Sequence, residues 1–213
     1  MRACFFDMDG TLIDSRADLA ATVNHTRRDL SLAELPLEDV LAHVGRGARY
    51  LMEHAIPEVS DFDTVLDCFR SHYAEHMLDT TVLYPGVRAT LDALHESGWK
   101  LGINTNKPAF ATRAILAHFG LDGLFGDAVV AGGDCPELKP SAAPLRLCAQ
   151  RMGHELSADD WMVGDSWQDI ACAENAGIRG AFCSFGFGQL ENHRVSTRLS
   201  RFDELLAYLQ PAR

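Results

Sequence analysis

Short apolar runs and amphipathic stretches alternate along this chain. The runs near 2–6, 100–104, 127–131, 160–164 and 180–184 have the length and continuity of strands buried on both faces, while helical periodicity marks 86–97, 108–119, 141–152 and 168–176. That β-α rhythm predicts a parallel sheet with helices on both faces, joined by right-handed crossovers. A last helix is expected near 202–209. Roughly ninety residues separate the first two strands, far more than the dozen or so that one crossover needs. Most of that stretch reads as helix, at 15–29, 36–43, 47–55 and 61–78, with Ser15 and Asp18 forming a capping-box-like start. The expectation is an α/β core, residues 1–14 and 83–213, carrying an inserted helical bundle over 15–82. Tyr84-Pro85-Gly86 marks the return to the core, and two adjacent linkers make a hinge.

Composition narrows the function classes. With 213 residues, 47% of them hydrophobic, the chain can bury a substantial core. No run approaches the roughly 18 apolar residues of a membrane span, and the start lacks a signal-peptide pattern, so a cytoplasmic location is expected. Cys4, Cys68, Cys135, Cys148, Cys172 and Cys183 are scattered without a CxxC pair and read as reduced, small hydrophobes. A formal net charge of -11 argues against nucleic acid or an anionic membrane as partner. A small anion is compatible with it if a divalent cation and one or two lysines reverse the sign locally.

The polar residues that follow the predicted strands carry the chemistry. Ala3-Cys4-Phe5-Phe6 delivers Asp7-Met8-Asp9-Gly10-Thr11, two carboxylates leaving one strand end together. Like charges that close need a cation, a shared proton or a substrate. Leu101-Gly102-Ile103-Asn104 runs into Thr105-Asn106-Lys107, the strand near 127–131 is followed by Lys139-Pro140, and Trp161-Met162-Val163-Gly164 delivers Asp165-Ser166-Trp167-Gln168-Asp169. Lys100, Lys107 and Lys139 are the only lysines among 19 lysine and arginine residues, and the last two precede prolines in these loops. Lys107 reads as a surface residue. Strand ends of open parallel sheets are where ligands bind.

In that order, DxDGT, Thr-Asn, Lys-Pro and GDxxxD resemble the haloacid dehalogenase superfamily over nearly the whole chain. The resemblance implies a Rossmann-like five-stranded sheet of order 5-4-1-2-3, with the insert placing the chain in the helical-cap branch. It also implies a Mg2+-dependent phosphatase acting on a small phosphorylated metabolite. Asp7 is then the nucleophile that forms an aspartyl phosphate, and Mg2+ is held by Asp7, Asp165 and the backbone carbonyl of Asp9. Asp9 is the general acid and base, and Thr11 orients it by resemblance, with a simple turn role equally open. Thr105 and the backbone of Asn106 hold a phosphate oxygen, Lys139 neutralises Asp7 and the transferred group, and Asp169 fixes metal waters or Lys139. Capping the following helix is the alternative for Asp169.

The insert adds Gly45-Arg46-Gly47, an arginine lifted on a glycine turn, as the expected specificity loop, with a solvated helix start carrying an exposed arginine as the alternative. Val44-Gly45-x-Gly47-Ala48 with Leu51-Met52 is similar to the cap loop of bacterial phosphoglycolate phosphatases, which makes 2-phosphoglycolate the leading substrate. Sugar phosphates, N-acetylmuramic acid 6-phosphate, pyrophosphate and phosphomutase chemistry use the same core residues and stay open. A dehalogenase has no task for Asp9, a phosphonatase needs an insert lysine that 15–82 lacks, and a phospho-aspartate receiver has no reason for the insert. His72 and His76 sit four apart in HYAEH, which is not HExxH, and with no third ligand placed they read as a solvated helix face.

Overall fold

Four consecutive apolar residues, Ala3–Phe6 (β1), form a fully buried strand at the middle of the sheet in a computed structural model that describes residues 2–209. Side chains alternate across a strand, so Cys4 and Phe6 pack into one core layer with Ile103 and Val163, and Ala3 and Phe5 into the other with Val130, Leu145 and Met162.

After β1 come a short strand, Ile13–Asp14 (β2), and four helices, Arg16–Asp29 (α1), Leu37–Leu41 (α2), Ala48–Ala55 (α3) and Phe62–His76 (α4). Val82–Leu83 (β3) pairs antiparallel with β2. The chain then continues through Val87–Glu96 (α5), Lys100–Pro108 (β4), Ala109–His118 (α6), Asp122–Phe125 (α7), Val129–Gly132 (β5), Ala143–Arg151 (α8), Trp161–Gly164 (β6), Trp167–Ala176 (α9), Arg179–Cys183 (β7), Thr197–Leu199 (β8) and Leu205–Leu209 (α10), the last behind a 3-10 turn at Phe202–Glu204.

All pairings in the main sheet are parallel, in the order β5-β4-β1-β6-β7-β8. The five strands expected from the sequence therefore stand in the implied order, with β8 added outside β7. Three residues with Arg198 exposed carry too little pattern to announce that strand. The sheet puts β1 between β4 and β6, so the loops after all three open at one edge.

The two chain segments joining the helical stretch to the sheet are tied together where β2 and β3 meet. Asp18, on the first turn of α1, accepts from the Thr80 and Thr81 amides at 3.0 and 2.8 Å and from both hydroxyls at 2.5 and 2.7 Å. The capping box expected of Ser15 and Asp18 is consequently not formed. Ser15 has no side-chain cap bond, because its hydroxyl is turned toward Asp9.

Candidate active site

Asp7 leaves β1 with its amide bound to the Val163 carbonyl of β6, which fixes the carboxylate over the sheet edge. Asp165 and Asp169 approach it from the end of β6 and the first turn of α9, and each of the three offers an oxygen within 4.8 Å of the others. Lys139 lies 2.8 Å from Asp7 and 2.6 Å from Asp169, its ammonium almost wholly buried. Asp169 does both jobs that the sequence left as alternatives. One oxygen pairs with Lys139, and the other closes a capping box with the amide and hydroxyl of Ser166 at 3.0 and 2.6 Å.

Burial pushes the Asp165 carboxyl well up from its ordinary value, and the charges of Asp169 and Asp7 add to the push. Asp7 is raised chiefly by burial, with Lys139 working against the shift. Burial pulls the Lys139 pKa down, but Asp169 and Asp7 outweigh it and the ammonium is held above its usual range. Three buried carboxylates face one ammonium, an imbalance that a divalent cation would relieve. The donor set is all oxygen, which suits Mg2+.

Two glycines let the walls of this centre close. Gly10 has φ of +76°, and a Cβ there would stand 1.8 Å from Asp165 Oδ2. At Gly186 a Cβ would meet the Gly10 carbonyl at 2.3 Å. The following loop donates the amides of Phe187 and Gly188 to Asp165 Oδ2 at 2.9 and 2.7 Å. Sequence reasoning gave this loop no part in the site. Its only signal was the pair Gly186 and Gly188, which lacks the spacing of a nucleotide-binding turn.

Lys107 is the largest correction. It was expected at the surface, yet its side chain is 1% exposed and its ammonium lies 2.7 Å from Asp9 Oδ1 and against the Tyr73 hydroxyl of α4. The reason is that β4 runs on through Lys107 to Pro108 instead of ending at Asn104, which carries the lysine under the helices. Asp9 and Tyr73 more than offset the burial that would otherwise discharge it, and its affinity for the proton rises. Burial pushes the Tyr73 phenol up to about 12, although Lys107 opposes the shift. Thr11 does not orient Asp9, since its buried hydroxyl has no hydrogen-bond partner among the described residues and its amide closes the turn onto Met8. Ser15, 2.5 Å from Asp9 Oδ1, and Lys107 stand in that place.

Thr105 and Asn106 are both buried at the end of the sheet. The Asn106 side chain binds the Lys139 amide and carbonyl at 2.9 and 3.0 Å and the Gly45 carbonyl at 2.8 Å, so one amide group joins three loops. Gly45 and Gly47 line the cleft between sheet and helices, together with Leu19, Leu51, Phe69 and Tyr73. Arg46 does not point into it. Its guanidinium lies over the rings of Tyr50 and Trp167, at 4.8 and 5.5 Å from their centres.

The profile of the haloacid dehalogenase-like hydrolases matches residues 4–183. The chain belongs to that family. A phosphoglycolate phosphatase of Cereibacter sphaeroides is 35% identical, over 98% of this chain and 99% of its own length, and one of Aquifex aeolicus is 34% identical over 97% and 95%. Among solved structures, a predicted phosphoglycolate phosphatase from Haemophilus somnus superposes with a TM-score of 0.91 at 29% identity, covering 99% of this chain and 98% of that one. Membership with such relatives makes this haloacid dehalogenase-like hydrolase an enzyme of the phosphatase type. No helix among the described residues is long and apolar enough to cross a membrane.

Proposed function

We propose that this hydrolase is a Mg2+-dependent phosphatase of a small, carboxylate-bearing phosphate ester, with 2-phosphoglycolate the leading substrate. The observation that carries the reading is the convergence of Asp7, Asp165 and Asp169, their oxygens within 4.8 Å of one another, with the Lys139 ammonium against Asp7 and Asp169. Mg2+ would be held by Asp7, Asp165 and the Asp9 carbonyl, and when bound it supplies positive charge to the phosphate oxygens.

The protein groups divide the remaining work. Asp7 attacks phosphorus in line, forming the aspartyl phosphate as the ester oxygen departs. Lys139, with Thr105 and the Asn106 amide, balances charge on the transferred group. Asp9 gives a proton to the leaving alkoxide and then takes one from the water that hydrolyses the acyl phosphate. Ser15 and Lys107 both hold Oδ1 of Asp9, which leaves Oδ2 for that exchange. Residues 15–82 act as the cap, turning about the β2–β3 junction to admit substrate and exclude water.

Substrate choice rests on the cap. The cleft lining is apolar apart from its polar sheet edge and the Lys107–Tyr73 pair, so a short leaving group fits the reading better than a nucleotide. Arg46, between the lining glycines, is the cation at its rim. The test is phosphate release from a panel including 2-phosphoglycolate, sugar phosphates, N-acetylmuramic acid 6-phosphate and pyrophosphate, with Mg2+ and with chelator. Mg2+-dependent turnover lost in Asp7→Asn is expected, whereas release that survives chelation or Asp7→Asn overturns the mechanism. Arg46→Ala should raise KM for 2-phosphoglycolate more than for p-nitrophenyl phosphate, and equal effects remove Arg46 from specificity.

A further inference from the structure

In a surface groove that shares no lining residue with the cleft, α1 and α4 bring three histidines together. His72 and His76 are one turn apart on α4, and His25 of α1 fits against both, its ring centre 5.4 Å from that of His72 and 4.9 Å from that of His76. One nitrogen of each ring lies within 4.8 Å of the other two. The third ligand missing from the sequence pattern therefore comes from a different helix. The geometry points to a transition-metal site, built by His25, His72 and His76, that takes Zn2+ or a similar borderline divalent ion and clamps α1 to α4.

The surroundings have the features of a ligand set. Asp29 Oδ2 is 2.7 Å from His72 Nε2 and Asp79 Oδ2 is 2.9 Å from His76 Nδ1, so a carboxylate engages one nitrogen of each α4 ring. Metal-bound imidazoles ordinarily carry such a partner, which fixes the ring and raises its basicity as a ligand. Asp29 and Glu75 share the groove and lower the cost of placing a dication there. Arg28 opposes it, but its guanidinium is drawn 3.3 Å from Glu34. Cys68 Sγ lies 3.6 Å from Asp29 Oδ2 and, with Asp29 and His72, stands at the edge of the same groove.

Tetrahedral Zn–N bonds of about 2.0–2.1 Å put ligand nitrogens about 3.3–3.4 Å apart, closer than the 4.8 Å within which the three stand here. The rings are only half buried and can turn that far. Water supplies the fourth position.

Co2+ is the probe, titrated into the full chain kept saturated with Mg2+, with the visible ligand-field bands of tetrahedral cobalt as the readout. One equivalent is expected to bind in the micromolar range. His25→Gln and His76→Gln should each weaken binding at least tenfold, and Arg28→Gln should tighten it. Asp165→Asn should leave the bands unchanged, which separates this ion from one at the catalytic carboxylates. Absence of the bands in the unaltered chain, equal titrations of it and His25→Gln, or bands lost in Asp165→Asn would each overturn the site. Arg28→Gln also keeps the test decisive if a histidine variant folds poorly, because failure to tighten binding counts against the proposal.

Discussion

At the scale of single residues, the pair Asp9 and Lys107 distinguishes this site from a mere cluster of acids. Lys107 Nζ and Ser15 Oγ both meet Oδ1 of Asp9, and Tyr73 closes on Lys107 from the helices. Lys107→Met removes a charge-assisted bond of about 1.5–3 kcal/mol, enough to lower kcat by about one to two orders of magnitude if it positions Asp9. A change in KM alone, with kcat intact, would place Lys107 in substrate binding instead. Gly10 is constrained twice, by φ of +76° and by Asp165 Oδ2 at 1.8 Å from any added Cβ. Gly10→Ala accordingly costs about 1–2 kcal/mol for the left-handed backbone and displaces Asp165 besides. The expected result in a Mg2+ titration of activity is a half-saturating concentration raised at least tenfold. That Asp7 and Asp165 stand at strand ends was legible because each directly follows a short apolar run that reads as a strand, whereas Lys139 stood out through the Lys-Pro that the resemblance expects after the loop. The place of Lys107 was not legible, because a lysine before proline looks the same whether its strand stops at Asn104 or runs on to Pro108.

At the scale of elements, the junction of β2 and β3 with α1 is the part most exposed to test. Asp18 is 3% exposed, and its carboxylate receives four donors from Thr80 and Thr81. Burial raises its pKa, yet these bonds prevail and hold it below the ordinary value. A depressed carboxylate stabilises the fold fully above its unfolded pKa, about 3.9, and the contribution is lost as pH falls through the lower folded value. Asp18→Asn should therefore destabilise the protein by about 2–3 kcal/mol near neutral pH. Melting temperatures of the two proteins should converge as pH drops through and below about 3.9. A constant gap across that range would show that the carboxylate charge is immaterial. The helices themselves were largely readable, since Phe62–His76 and Ala48–Ala55 show their periodicity plainly. The start of α1 was not: Ser15 has a capping residue's chemistry, but a half-buried carboxylate six residues earlier claims its hydroxyl.

For the whole molecule, the decisive quantity is the charge balance at the sheet edge. Asp7, Asp165 and Asp169 are each at most 7% exposed and lie within 4.8 Å of one another, with one ammonium paired to Asp7 and Asp169, so the metal-free fold carries like-charge repulsion. Mg2+ at about 100 times its dissociation constant should stabilise the protein by about 2.7 kcal/mol, seen as a higher melting temperature. Asp165→Asn should lose that increment and, without Mg2+, melt higher than the unaltered chain because one buried charge is gone. If the variant melts lower in the absence of Mg2+, the repulsion argument is wrong.

The sequence by itself determined the β-α alternation, the order in which the reactive loops arrive and the presence of a long helical stretch between the first two strands of the sheet. Each is a local property, written in runs of apolar side chains and in turn residues that no distant partner can alter. Tertiary structure alone decided which of those groups meet. It joined Lys107 to Asp9 across 98 positions of the chain, gave Asp165 the amides of Phe187 and Gly188, moved Arg46 onto two aromatic rings and set His25 beside His72 and His76. Burial is the physical reason, because a polar group taken out of water must find a partner wherever the packed elements bring one, and sequence proximity does not govern that choice.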